Sequence, residues 1–201
     1  AEAERKAKEE AQRVAEAKRK AEEERKAKAE QKLASKPAST SSQTATNTFP
    51  TTPIDVHFRL LKTRPDDIAV IIGNADYKKL GRDIPNVTPA YADAAGIRRY
   101  FMKAKGVREG NIIHIKDATG SQLTGMFGNE RSHKGQLFNW VKPNVSKAYI
   151  YYAGYGAPAG DEGSAYLVPS DATSETVELT GYPLATLYKN LGKIPAKSVT
   201  V

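Results

Sequence analysis

The sequence predicts an α/β domain built on a mostly parallel, doubly wound sheet. Short apolar, β-prone runs cover residues 68–72, 111–115, 148–153 and 198–201. The segments between them carry apolar residues at helical spacing. Two of the runs, 68–72 and 148–153, are continuously apolar, which is typical of strands buried on both faces. Strands that alternate with helices in this way pair in parallel and are covered by helices on both faces.

A long charged α-helix is predicted before this domain. Residues 1–35 consist almost wholly of Ala, Glu, Lys, Arg and Gln, which are strong helix formers. Glu precedes Lys or Arg by four positions six times, and each such pair stabilises an isolated helix by about 0.2–0.5 kcal/mol. The helix is either a solvated spacer or a segment that packs on a partner, through self-association or tethering.

Residues 36–64 are rich in Ser, Thr and Pro and predict a linker. Within it, Ile54–Leu60 alternates in places and predicts an edge strand or a segment that docks on the domain. Residues 65–201 form the globular domain, which is long enough to bury a core. The chain begins at Ala1 and ends within a strand pattern, so we expect a processed or partial copy of a longer protein.

The first α/β unit begins at the β-branched run Ile68–Ile72. The glycine after this run ends the strand, and Asn74–Tyr77 occupies the turn at its carboxyl end. Thr88 is the expected N-cap of the following helix, with Pro89 as the first helical residue. Apolar residues then recur at helical spacing until Gly106, which is expected to end the helix.

The second unit begins at the strand 111–115, which ends at Asp117–Thr119. Ser121–Trp140 follows and predicts one or two short helices, because several glycines interrupt it. The chain leaves the third strand, 148–153, through Gly154-Tyr155-Gly156, where two glycines permit a sharp turn. Open α/β sheets carry their chemistry at this carboxyl edge.

The rest of the domain contains a helix and the beginning of another strand. Tyr182–Leu191 predicts the helix. The fourth strand begins at Ser198.

Composition and spacing exclude several classes of function. The chain has no cysteine, which excludes disulfides and thiolate metal sites. Its net charge of +8 is spread along the chain rather than clustered, which argues against a nucleic-acid partner. No apolar run approaches the roughly 20 residues that span a bilayer. His57, His114 and His133 share no metal-ligand spacing, so neither a metal nor another cofactor is expected.

Four spaced motifs in this domain resemble those of the caspase-like peptidases of the bacterial orthocaspase and metacaspase type. The motifs are Gly73–Tyr77, Asp93-Ala94, Asp117–Thr119, and the signature Tyr151-Tyr152-Ala153-Gly154-Tyr155-Gly156 followed by Leu167-Val168-Pro169-Ser170-Asp171. The resemblance covers residues 66–201 and implies a caspase-like three-layer α/β/α fold. It also implies that the family's nucleophilic cysteine would lie beyond Val201.

The resemblance implies a site whose catalytic base is replaced. In the family, the position of Tyr155 holds the histidine of a His/Cys dyad. Histidine, with an ordinary pKa of about 6.5, accepts a proton at neutral pH, whereas tyrosine, near 10, stays protonated and only donates. The nearby Asp161 and Glu162 have the wrong charge to stabilise a phenolate. We therefore expect a pseudo-protease, because an unactivated nucleophile is weak.

Other residues of the signature have roles implied by the same resemblance. Gly156 would keep an oxyanion-hole N–H. Asp171 matches an acidic position near the family's substrate cleft, and it is either part of a peptide-binding groove or a loop hydrogen-bonding residue. Asp93 is either a charge on an exposed helix face or a structural hydrogen-bonding residue. Tyr155 also fits the tyrosine–serine pairs of inactive orthocaspase-like proteins, with the serine beyond Val201.

The sequence therefore favours recognition of a protein or peptide, or scaffolding, with proteolysis lost. One alternative is an active caspase-like cysteine endopeptidase whose nucleophile lies beyond Val201. A second alternative is a structural component of a larger assembly, tethered by the helix of residues 1–35. The sequence specifies no compartment, and the resemblance favours a bacterial membrane-tethered or exported protein.

Overall fold

A four-stranded parallel sheet forms the centre of the domain in the computed structural model, which describes residues 57–80, 83–159 and 164–201. These residues belong to one compact unit. In spatial order the strands are β2 (Ile112–Lys116), β1 (Ile68–Gly73), β3 (Lys147–Ala153) and β7 (Ser198–Thr200).

The central strand β1 is continuously apolar because it is enclosed on every side. Val70 pairs with Ile113 of β2 on one side and with Ile150 of β3 on the other. All six residues of β1 are buried. β-Branched side chains pack well on such a pleated surface, so the run Ile68–Ile72 forms a strand with helices above and below it.

Helices cover both faces of the sheet, which gives three layers. On one face, α1 (Ala90–Lys103) packs Ala94 and Phe101 against β1 and β3. The other face is covered by α2 (Gly120–Phe127), α3 (Gln136–Trp140) and α5 (Leu184–Leu191). The predicted α/β class and mostly parallel sheet are therefore confirmed.

A second, antiparallel sheet lies beyond the carboxyl end of β3. Its strands, in spatial order, are β4 (Gly156–Ala159), β5 (Ser164–Leu167) and β6 (Tyr182–Pro183). The helix α4 (Val177–Thr180) lies between β5 and β6 in the chain. The sequence did not predict this sheet, because its strands are short and contain Gly, Pro, Ser and Ala, which have low β-propensity. Short 3-10 helices cover Tyr77–Lys79, Glu109–Asn111 and Ser174–Thr176.

Two predicted helix starts are wrong. Thr88 does not cap α1: the N-cap is Pro89, and no side chain accepts a hydrogen bond there. Gly106 lies beyond the end of the helix with a φ of 72°, a conformation that favours glycine. The predicted helix at Tyr182 begins only at Leu184, because Tyr182 and Pro183 pair with β5.

The segment before β1 packs beside the end of α1. The ring of Phe58 contacts that of Tyr100 edge-on, with 5.3 Å between centroids, and Leu61 N donates to Lys103 O at 2.9 Å. Residues 57–60 contain no strand, so of the two expectations for Ile54–Leu60 the packing fits docking on the domain.

The charged helix predicted for residues 1–35 lies outside the described residues, as does the linker up to residue 56. Within the described part of the chain, no helix has the length and apolar character needed to cross a membrane.

Gly154, where the chain leaves β3, provides a test of this packing. A Cβ atom there would lie 2.7 Å from Tyr77 Oη and 2.8 Å from Tyr152 Oη. We expect Gly154→Ala to lower the free energy of unfolding by about 2 kcal/mol, measured by urea denaturation. The matched control is Gly125→Ala on α2, where no atom lies within 4 Å and the helix gains up to about 1 kcal/mol. Equal stability of the two variants would contradict the packing described here.

Candidate functional site

The carboxyl ends of three strands meet at one edge of the parallel sheet. β1 ends at Gly73, β2 at Lys116 and β3 at Ala153, and both outer strands pair in parallel with β1. The turns that follow these strands therefore lie side by side. Residues 167–171 return to the same edge, where Val168 N donates to Tyr155 O at 2.9 Å.

Asn74 joins three of these segments through its side-chain amide. It is fully buried, and its Nδ2 donates to Ala118 O at 3.2 Å and to Val168 O at 3.3 Å. Its Oδ1 accepts from Ala118 N at 2.7 Å. A buried amide satisfied on both sides fixes the turn after β1 to the turn after β2 and to the returning segment.

Two tyrosine hydroxyls complete this network beneath Tyr155. Tyr77 Oη and Tyr152 Oη lie 3.3 Å apart, and they donate to Val168 O at 2.9 Å and 2.7 Å. Tyr77 Oη also accepts from Tyr155 N at 3.0 Å. Burial raises the pKa of both hydroxyls, so both are protonated donors at neutral pH.

Asp117 orders the turn after β2. Its Oδ1 accepts from the backbone N–H groups of Ala75 and Asp76 at 2.9 Å and 3.0 Å, and its Oδ2 accepts from the Tyr91 hydroxyl. Burial alone would raise the pKa of this carboxyl, but the hydrogen bonds from Tyr91, Asp76 and Ala75 outweigh burial and lower it. Asp117 is therefore an ionised structural acceptor.

Tyr155 lies at this edge, directly after β3. It is half-buried, and its ring contacts the Tyr77 ring with 5.2 Å between centroids. It packs with a small apolar cluster that includes Ile84, Val168 and Ala172. The backbone bond to Tyr77 and the ring contact together hold the side chain in place, where it lines a cleft.

The cleft has a volume of about 520 Å³. Its floor is apolar, with Ile84, Tyr155 and Val168 among its residues. Its charged lining residues are Asp83, Glu175 and Glu178. None of the described residues that line the cleft is cationic.

Gly156, the candidate oxyanion-hole residue, is the first residue of β4 and is exposed. It is the register partner of Leu167 in the antiparallel ladder, and it lines the cleft beside Tyr155. Its role as an oxyanion donor stays a prediction.

Asp171 lies away from this cleft. Its Oδ1 accepts from Gly120 N at 2.9 Å, and the residue lines a separate depression of about 320 Å³ with Leu179. This geometry corresponds to the alternative in which Asp171 is a loop hydrogen-bonding residue. The substrate-binding role of Asp171 stays a prediction. Asp93 is exposed on α1, where it lines a groove with Ile97 and Tyr151.

The histidines do not converge on the site. His114 lies in β2, where burial and then the charges of Arg98 and Lys116 lower its pKa. The ring of His133 contacts Phe138 edge-on, and His57 is exposed. Within residues 57–80, 83–159 and 164–201, no group of three or more potential metal ligands occurs.

Sequence reasoning located Tyr155 but missed the residues that hold it. Asn74 and Tyr77 were noted only as part of the Gly73–Tyr77 motif, and Tyr152 only as part of the signature, with no contact to Tyr155 predicted for any of them. One available signal was the charge distribution, because no Lys, Arg or His occurs between Lys147 and Lys189. That interval contributes Glu175 and Glu178 to the cleft.

No family model matches this chain, and no curated protein is significantly similar to it.

The buried amide provides a test of the network. Asn74→Ala removes both donated hydrogen bonds and leaves Ala118 N–H without its acceptor. We expect the free energy of unfolding to fall by about 3 kcal/mol, measured by urea denaturation. Asn139→Ala, at an exposed position of α3, is the matched control and should change stability by less than about 0.5 kcal/mol. A similar small change in both variants would mean that the amide contributes little.

The buried hydroxyls predict a loss of stability at alkaline pH. A phenol whose folded-state pKa is raised stabilises the fold fully below its unfolded value of about 10, and this contribution disappears as pH rises through the folded value. We expect the free energy of unfolding to fall above about pH 10, and to fall less steeply in Tyr77→Phe/Tyr152→Phe. Urea denaturation from about pH 8 to pH 11 measures this slope.

Tyr188→Phe is the control for this pH series, because Tyr188 is 57% exposed. Its slope should match that of the unmodified chain. An unchanged slope in the double variant would show that the buried hydroxyls do not cause the loss.

Proposed function

We propose that this chain carries a caspase-like pseudo-protease domain that recognises a protein or peptide segment without cleaving it. The proposal depends most on Tyr155. The segment around it resembles a family signature in which this position holds the catalytic histidine. Its side chain lies at the carboxyl edge of a parallel sheet, packed on Tyr77 and facing an open cleft. The three-layer arrangement is the one that the resemblance implies.

Loss of catalysis follows from the chemistry of the cleft. Tyrosine replaces the histidine base, and a phenol with an ordinary pKa near 10 does not accept the proton of a nucleophile at neutral pH. The serines nearby are already engaged. Ser170 is buried and donates to Asp117 O at 2.6 Å, and the Ser174 hydroxyl donates to Asp83. Neither has a histidine beside it among the described residues that line the cleft.

Recognition is supported by the shape of the cleft and by its wall. β4 is an edge strand of the antiparallel sheet, and Gly156, Ala157 and Pro158 line the cleft. A peptide segment bound in the cleft can contact the exposed backbone of this edge, while pockets beside it hold side chains. The apolar floor contributes affinity through buried area. The cleft therefore retains what binding needs without a catalytic base.

Peptide hydrolysis tests the proposal. We expect the 201-residue chain to release no fluorophore from peptides with Arg, Lys or Asp before the scissile bond, beyond the rate of its Tyr155→Phe variant. Tyr155→His should also be inactive, because histidine alone supplies no nucleophile. Turnover by the unmodified chain that Tyr155→Phe abolishes would overturn the assignment as a pseudo-protease.

A further inference from the structure

We propose that the surface around α4 docks a basic amphipathic helix of a partner protein. This inference rests on the recognition part of the proposed function and names the chemistry of the partner. The surface, called here the α4 ridge, consists of α4 (Val177–Thr180) and the depressions on its two sides. One is the cleft at Tyr155, and the other is the depression of about 320 Å³ beside Asp171.

The charge of the ridge is opposite to that of the chain as a whole. The chain has a net charge of +8, but residues 148–188 contain no Lys, Arg or His. The acidic residues of this interval are Asp161, Glu162, Asp171, Glu175 and Glu178. The structure describes three of these residues, and all three line the depressions: Glu175 and Glu178 the larger one and Asp171 the smaller one. Asp83 adds a further carboxylate to the larger one. A basic partner is therefore steered to this surface rather than to the remaining, positively charged part.

The ridge also exposes apolar surface. Leu179 is 86% exposed, the most exposed of the large apolar side chains described. In the same turn of α4, Val177 is buried in the wall of the larger cleft. An exposed leucine between two depressions that carry carboxylates resembles an interface centre with a charged rim.

An amphipathic helix fits this surface. Two open depressions lie on either side of a single-turn ridge, so a partner must present apolar side chains at intervals rather than one side chain alone. Helical residues at i, i+3, i+4 and i+7 have this spacing, with basic residues on the flanks to meet the acidic rim.

The surface is also preformed. The Asp83 carboxylate accepts hydrogen bonds from Ser174 N at 2.8 Å and from the Ser174 hydroxyl, which ties the two walls of the larger cleft together. A wall that is already fixed loses less conformational freedom when a ligand binds.

Fluorescence anisotropy with synthetic peptides tests the proposal on the full chain. The probe is a labelled Lys/Leu peptide of about four helical turns with leucines on one face, compared with a scrambled peptide of the same composition. We expect the amphipathic peptide to bind at least about tenfold more tightly than the scrambled one, and binding to weaken when salt rises from about 0.05 M to about 0.3 M.

Variants of the ridge locate the binding site. Glu175→Lys/Glu178→Lys should weaken binding about tenfold, whereas Glu130→Lys, an exposed carboxylate elsewhere on the domain, should leave it within about twofold. Leu179→Ser should weaken binding about fivefold, whereas Leu60→Ser should not, although Leu60 is 74% exposed.

Three results would overturn the inference. Equal binding of the scrambled peptide would show that no helical face is recognised. Equal weakening by Glu130→Lys and by the double variant would show that net charge, not the ridge, attracts the peptide. Binding and turnover are measured separately. A catalytically active chain would refute the pseudo-protease but not the binding site at the α4 ridge. Absence of peptide binding would refute the α4 ridge but not the loss of catalysis.

Discussion

The carbonyl oxygen of Val168 accepts hydrogen bonds from three buried side chains, and the site at the edge of the sheet depends on it. Tyr77 and Tyr152 approach it at 2.9 Å and 2.7 Å, and Asn74 at 3.3 Å. These donors come from the end of β3 and from the turn after β1. One acceptor therefore fixes the segment returning from β5 against both strands, and the backbone N–H of Tyr155 donates to the hydroxyl of one of these tyrosines, Tyr77.

Most of the parallel sheet could be predicted because its signal is local. Ile68–Ile72 is apolar without interruption, and a strand enclosed on both faces has this pattern. The antiparallel sheet has no such signal, because β6 contains only Tyr182 and Pro183 and is defined by its partner β5. Thr88 illustrates the same limit at the start of a helix. Threonine favours the N-cap position, but the N-cap of α1 is the next residue, Pro89.

The candidate site, too, could be predicted from the sequence only in part. The position of Tyr155 followed from the glycines beside it and from the end of a predicted strand. The contacts that support Tyr155 could not be predicted. Asn74 and Val168 are separated by 94 positions, and local sequence patterns carry no information on contacts between residues so far apart in the chain. For Asp171 the sequence left two alternatives open, and its carboxylate accepts a hydrogen bond from Gly120 N, a contact that the motif alone does not reveal. The acidic character of residues 148–188, by contrast, was visible in the composition.

Pro158 in β4 limits how far the open edge of the antiparallel sheet can grow. It pairs in register with Ala165, and its ring removes a backbone donor from the strand. Exposed strand edges invite identical chains to stack on one another, and proline is one of the devices that interrupt such stacking. The edge that leaves room for a short bound peptide is thus a poor template for fibrils. The domain can therefore keep an accessible edge at high concentration without aggregating through it.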